Sequence, residues 1–372
     1  MASQLETSAA RLFTVGFHGK TVSTELRELL TRGVGGVVLF SRNVGEPAEV
    51  VELTNAIKRQ ATRPMPIAID QEGGKVARLK RGFTELPAMR ALGEIGSVSL
   101  ASELGALIGR ELRAVGVDVN YAPVLDVDTN PDNPVIGSRS FGRTPELVSE
   151  LGVALAAGLS RVGIAGCGKH FPGHGDTHQD SHLALPRLSH SLERLQQVEL
   201  RPFAAAIAAG IPSLMTAHVV FEPLDARYPA TMSRAVLHGL LREQLRYDGL
   251  VVSDDLEMRA IADHYGVEET VLRGIDAGVD QFLCCHTAEL VHRAIDAVVR
   301  AVERGQISRE QLATANRRIE SFAARHAHPP LENPDLSVLR CDAHLALSER
   351  VARGPDASDP TAIMNGVGAK SG

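Results

Sequence analysis

Eight short, continuously apolar runs, each followed by a stretch of helical periodicity, fill roughly the first 325 residues. They are Leu12 to Phe17, Val34 to Phe40, Pro66 to Asp70, Val117 to Val127, Gly166 to His170, Ser213 to Val219, Leu250 to Asp254 and Gln281 to Cys285. Unbroken apolar runs of this length suit parallel strands covered on both faces, whereas half-exposed strands would alternate apolar with polar. A doubly wound sheet would carry a GxGxxG turn after an early strand, and the chain has none. Eight strand–helix units in unbroken series predict an α/β fold of one kind, the (β/α)8 TIM barrel, as a single domain over residues 1–326.

The intervening stretches carry helix signals. Helices are expected over Thr24 to Leu30, Pro47 to Arg59, Leu100 to Val115, Ser191 to Ala209, Ser233 to Leu245 and Val267 to Ala277. Thr144 before Pro145 marks the start of another, because proline at the first helical position has no amide hydrogen to waste. Ser308-Arg309-Glu310-Gln311 reads as a capping box for the last barrel helix. After it, His328-Pro329-Pro330 and Asn333-Pro334 predict a linker, and residues 327–353 are expected to end in a helix packing back on the barrel. The glycine-, proline- and serine-rich stretch 354–372 is expected to be a disordered tail.

Composition narrows the partners. A net charge of −6 argues against a nucleic-acid backbone as partner. No window is apolar enough to span a membrane, and the first residues lack the basic and apolar blocks of a signal peptide. Four cysteines, two of them adjacent at 284 and 285, have neither disulfide-framework nor zinc-site spacing. The expectation is a cytoplasmic protein, a monomer, acting on a small molecule.

In a barrel of this kind the chemistry sits where strands end. Here those ends carry Asp70, Asp126, Asp128, Lys169, His170, His218, Asp254 and Asp255. A single strand-end aspartate commonly does no more than cap the next helix, but five strands ending in polar groups together mark a site. The richest segment is KHFPGHGDTHQDSH, with histidines at 170, 174, 178 and 182. Their spacing of four suggests one helix face, but Pro172, Gly173 and Gly175 break any helix there. A long polar loop is expected instead, with the two glycines letting residues 174–182 move.

KHFPGHGDTHQDSHLALP, preceded by DQEGGKVARL and followed by VVSDDLEM, resembles the glycoside hydrolase family 3 β-N-acetylglucosaminidases, in particular the NagZ-like subgroup of peptidoglycan recycling. The resemblance covers about residues 10–325, and its three motifs stand in the family's order. It implies a (β/α)8 barrel and a retaining exo-β-N-acetylglucosaminidase acting on muropeptide fragments, without metal or cofactor. Asp254 would be the nucleophile, His182 the general acid/base and Asp180 its partner. Asp70, Arg78, Arg139, Lys169 and His170 would grip the terminal sugar. Lys75 departs from the arginine common in relatives, and the absence of tryptophan implies grip by hydrogen bonds rather than indole stacking.

The implied chemistry is physically coherent. Retaining hydrolysis needs a carboxylate to attack the anomeric carbon and an acid to protonate the departing oxygen. A histidine, with an unperturbed pKa near 6.5, exchanges protons at neutral pH, and a carboxylate two residues away can orient its ring. Three other readings stay open on the residues alone. A metal-dependent hydrolase would use the histidine cluster as ligands. A β-glycoside phosphorylase would exploit the lower repulsion between histidine and phosphate. A sugar-binding barrel would bind without turnover.

Overall fold

The computed structural model describes residues 3–181 and 184–355. Eight parallel strands close into a barrel in strictly sequential order. They are β1 (Phe13–Val15), β2 (Gly36–Leu39), β3 (Ile67–Ile69), β4 (Val119–Asn120), β5 (Ala165–Phe171), β6 (Ser213–Thr216), β7 (Leu250–Asp255) and β8 (Gln281–Cys284). β1 closes the ring by pairing with β8, Phe13 opposite Phe282 and Val15 opposite Cys284. The four residues of β2, of β6 and of β8 are all buried, as doubly covered strands must be.

The fourth run is the least regular. Only Val119 and Asn120 form regular ladder there; the Ala122 N–H turns back to the Asn120 carbonyl at 2.8 Å, and Pro123 has no amide hydrogen to donate. The chain stays alongside β5 through Val124, opposite Lys169, and through Leu125, whose N–H donates to the Lys169 carbonyl at 2.6 Å. It leads to Asp126, whose carboxylate meets His170 Nδ1 at 2.7 Å, and to Asp128, which pairs with Arg90 at 2.6 Å.

Most expected helices form where their signals stand. The box at Ser308 is reciprocal, with Gln311 N–H donating to Ser308 Oγ at 3.1 Å and Ser308 N–H to Gln311 Oε1 at 2.9 Å. The span from Ser191 to Ala209 is two helices, Leu192–Gln197 and Leu200–Ala208, because Val198 leaves helical geometry at φ −122°, ψ −75°. Ala235–Gln244 is a π-helix, ended by the Leu245 N–H donating to the Leu240 carbonyl. A helix at Gln4–Ala10, too short to show a period, precedes β1.

The segment beyond the barrel is tied down by buried polar groups. Glu111 accepts from Thr84 N–H and Oγ1 at 2.9 and 2.6 Å, from Arg340 N–H at 3.0 Å, and contacts His344 Nδ1 at 3.0 Å. Asn55 makes both of its amide bonds to the backbone of Leu331. The helix Asp342–Arg353 then lies against Met89–Ile95 and Val98–Ala114. Residues 356–372, most of the expected tail, lie outside the described residues. No helix among the described residues is long and apolar enough to cross a membrane.

Candidate active site

A pocket of about 230 Å3 opens at the carboxyl ends of the strands, where βα-loops meet. Asp70, Arg78, Arg139, Lys169, His170 and Asp254 all line it. It lies below the roughly 300–1,000 Å3 usual for a drug-sized ligand, a size suited to one sugar ring.

A chain of charges forms its polar wall. Lys169, at the end of β5, reaches Asp70 Oδ1 at 2.7 Å and Glu72 Oε1 at 2.6 Å. Arg139 grips Glu72 with two parallel bonds, Nε to Oε2 and Nη2 to Oε1, both 2.8 Å. Arg78 contacts the other Asp70 oxygen at 3.3 Å. Burial pushes the Glu72 carboxyl up, but Lys169 and Arg139 outweigh it and hold that group well below the usual range. Burial likewise disfavours the Lys169 charge, and Asp70 with Glu72 overcomes it, so its pKa is raised. Both therefore stay charged at neutral pH, and both line the pocket.

The histidines stand on a second buried carboxylate. Asp126 Oδ2 holds His170 Nδ1 at 2.7 Å, and its Oδ1 accepts from the His174 N–H at 2.7 Å. His170 Nε2 is thereby turned toward Arg139 Nη2, 3.5 Å away. His174 is fully buried between Thr177 Oγ1 at 2.7 Å and Ser181 Oγ at 2.9 Å. Burial, helped by the neighbouring His170, pushes its pKa down to about 4, so the ring is neutral at pH 7.

The glycines of this loop serve close approach. A Cβ on Gly175 would stand 1.8 Å from the Val127 carbonyl oxygen, and one on Gly173, at φ +139°, would stand 2.8 Å from Glu199 Cβ. Asn133 and Asn130 donate to the carbonyls of His174 and Thr177 at 2.9 and 3.0 Å. These contacts pack residues 174–177 against the loop that follows β4. His182 lies outside the described residues, while Asp180 is described and its carbonyl accepts from Ala184 N–H at 2.9 Å.

On the facing side β7 ends in Asp254 and Asp255. Asp254 Oδ1 accepts the Asp255 N–H at 2.8 Å, and both residues line the pocket. Asp255 turns toward β8, accepting from Glu257 N–H at 3.1 Å and Cys285 N–H at 3.2 Å. Burial, with the neighbouring charges of Glu257 and Asp254, pushes its carboxyl up to about 7. The fold therefore favours the protonated acid, and stability is lost as pH rises from the unfolded value, 3.8, through about 7. Asp255→Asn, neutral throughout, should gain stability relative to wild type across that window in urea titrations. A difference that does not change with pH would contradict the assignment.

Two features escaped the strand-end rule. Glu72 lies three residues beyond β3, inside the hairpin Gln71–Gly73 with Val76–Ala77, yet it is the counter-ion of both Lys169 and Arg139. Three cations aimed at one pocket were the available signal, since buried charge must be paired. Phe40, at the end of β2, supplies an aromatic wall, with Arg42 stacked 4.5 Å and Arg78 5.5 Å from its centroid. Among the described residues no group of three His, Cys, Asp or Glu is placed to hold a metal ion.

Residues 4–322 match the N-terminal domain of glycosyl hydrolase family 3. A β-hexosaminidase of Thiobacillus denitrificans is 39% identical over 341 residues, 88% of this chain and 91% of that protein. The structure of a glycoside hydrolase family 3 β-N-acetylglucosaminidase from Paenibacillus sp. str. FPU-7 superposes with a TM-score of 0.90 at 44% identity, covering 94% of this chain and 68% of the other. NagZ from Neisseria gonorrhoeae, solved with N-trifluoroacetyl-D-glucosamine, superposes with a TM-score of 0.78 at 33% identity, over 92% and 97% of the two chains.

Proposed function

The chain belongs to glycosyl hydrolase family 3 and is a β-N-acetylhexosaminidase of it, and from that premise we propose a retaining exo-enzyme that removes terminal N-acetylglucosamine through a glycosyl-aspartate. One observation carries the reading. The Asp254 carboxylate faces, across a pocket sized for one sugar, a wall of Asp70, Arg78, Arg139, Lys169 and His170. Such a wall holds hydroxyl groups by charge-assisted bonds, fixing a ring while a carboxylate approaches its anomeric carbon.

In the first step the Asp254 oxygen bonds to the anomeric carbon as the glycosidic oxygen leaves with a proton from His182. In the second, His182 takes a proton from water, which attacks the same carbon and frees Asp254, so two inversions retain the β-configuration. Asp180 orients the imidazole. The proposed biological substrate is a cell-wall fragment with non-reducing N-acetylglucosamine on an anhydro-muramyl sugar, met in the cytoplasm.

The test is a panel of aryl glycosides followed by product analysis in phosphate buffer. Turnover of the N-acetylglucosaminide, little of the glucoside or xyloside, and free β-configured N-acetylglucosamine as first product are expected. A sugar 1-phosphate would make the protein a phosphorylase, and no turnover would leave a binding barrel. For His182→Ala, the loss should reach about 10²–10⁴-fold on leaving groups that need a proton. Dinitrophenolate needs little help, so with it the first step should survive. Equal losses across leaving groups would remove His182 from the acid role.

A further inference from the structure

The segment carrying Asp180 and His182 starts and finishes at one side-chain contact. Asp176 Oδ2 and His190 Nε2 are hydrogen-bonded across fourteen positions of chain. The other Asp176 oxygen accepts from Thr129 Oγ1 at 2.7 Å, which ties the carboxylate to the loop after β4. Upstream, Gly175 is seated on the Val127 carbonyl. Downstream, Arg187–Leu188 pairs with Val220–Phe221, and the Val220 N–H donates to the Pro186 carbonyl at 2.9 Å. Both anchors are thus fixed to the barrel and to each other.

Neither Asp176 nor His190 lines the pocket. The other charged groups facing His190 belong to the helices below it. Glu199, buried behind Gly173, contributes to its electrostatic surroundings, and Arg194 bonds Glu199 at 3.0 Å.

We propose that Asp176 and His190 form a positioning pair for the proton-transfer step, fastening the two ends of segment 177–189 so that Asp180 and His182 arrive at the glycosidic oxygen at bonding distance. The proposal rests on His182 being the acid. Proton transfer requires heavy atoms within about 2.6–3.2 Å, and a misplacement of about 1 Å can cost 10²-fold. A segment anchored at one end only has more ways to miss than one closed by a side-chain bond.

The experiment measures kcat/KM for His190→Ala over aryl N-acetylglucosaminides of graded leaving-group pKa. Losses of about 10- to 100-fold are expected on poor leaving groups, with little on dinitrophenyl and an unchanged inhibition constant for N-acetylglucosamine. His190→Gln, whose amide can still donate to Asp176, should recover most of the loss. In a His182→Ala background, His190→Ala should cost nothing further. If His190→Ala fails to fold, His190→Phe, which keeps the ring's bulk but cannot bond Asp176, carries the same comparison. Equal losses on all leaving groups, or an undiminished loss in the His182→Ala background, would overturn the pair. If His182→Ala itself shows no leaving-group dependence, the acid assignment fails and the positioning pair with it.

Discussion

Asp254→Asn should fold, bind N-acetylglucosamine and lose turnover by about 10⁴-fold or more, the scale on which covalent catalysis fails without its nucleophile. The amide keeps the shape and can still accept the Asp255 N–H that now reaches Asp254 Oδ1 at 2.8 Å. It lacks the charge that attacks carbon and stabilises an oxocarbenium-like transition state. Asp255→Asn should cost far less, because Asp255 is directed to the backbone of Glu257 and Cys285. A 2-fluoro glycoside of slow turnover should leave its mass on the peptide that contains Asp254. Label on Asp255, Asp126 or Asp176 would overturn the assignment, and so would an Asp254→Asn enzyme that keeps its rate.

Glu72→Ala should be strongly destabilising, at about 3–5 kcal/mol, because it strips the buried Arg139 of its carboxylate and leaves Lys169 with Asp70 alone. Lys169 and Glu72 are almost fully buried, their side chains 3% and 2% exposed, so solvent cannot take over the pairing. The measurement is urea unfolding at neutral pH, with Lys75→Ala as an exposed control that should be near neutral. The sign of the pH dependence follows from the depressed carboxyl. Its stabilising contribution is fully present above the ordinary value of 4.5 and is lost as pH falls through the lower folded value. The gap between wild type and Glu72→Gln should therefore narrow in acid. A Glu72→Ala protein as stable as wild type would mean that Lys169 and Arg139 find other partners, and that Glu72 is not the keystone of the wall.

The barrel was readable in one dimension because its requirements are local. Each strand needs an apolar run and each helix a period and a cap, and these are properties of neighbouring residues. Strand ends alone gathered Asp70, Lys169, His170 and Asp254 into one pocket, since strand direction puts every carboxyl end on one face. Arg139 came from motif resemblance, because it sits in an irregular segment with no periodic signal.

What tertiary structure decided is which charge answers which. Glu72 meets Arg139 across sixty-seven positions and Asp126 meets His170 across forty-four, separations at which spacing carries no information. The same holds for the glycines. In sequence Gly173 and Gly175 read as freedom, and in the fold they admit Glu199 and the Val127 carbonyl against the backbone. Absence of a side chain permits either motion or close contact. Only the neighbours brought in by the fold select between them. The chain's own order thus determined the barrel and the face on which the site lies. Close packing of buried charges, each obliged to find a partner away from water, decided the arrangement within it.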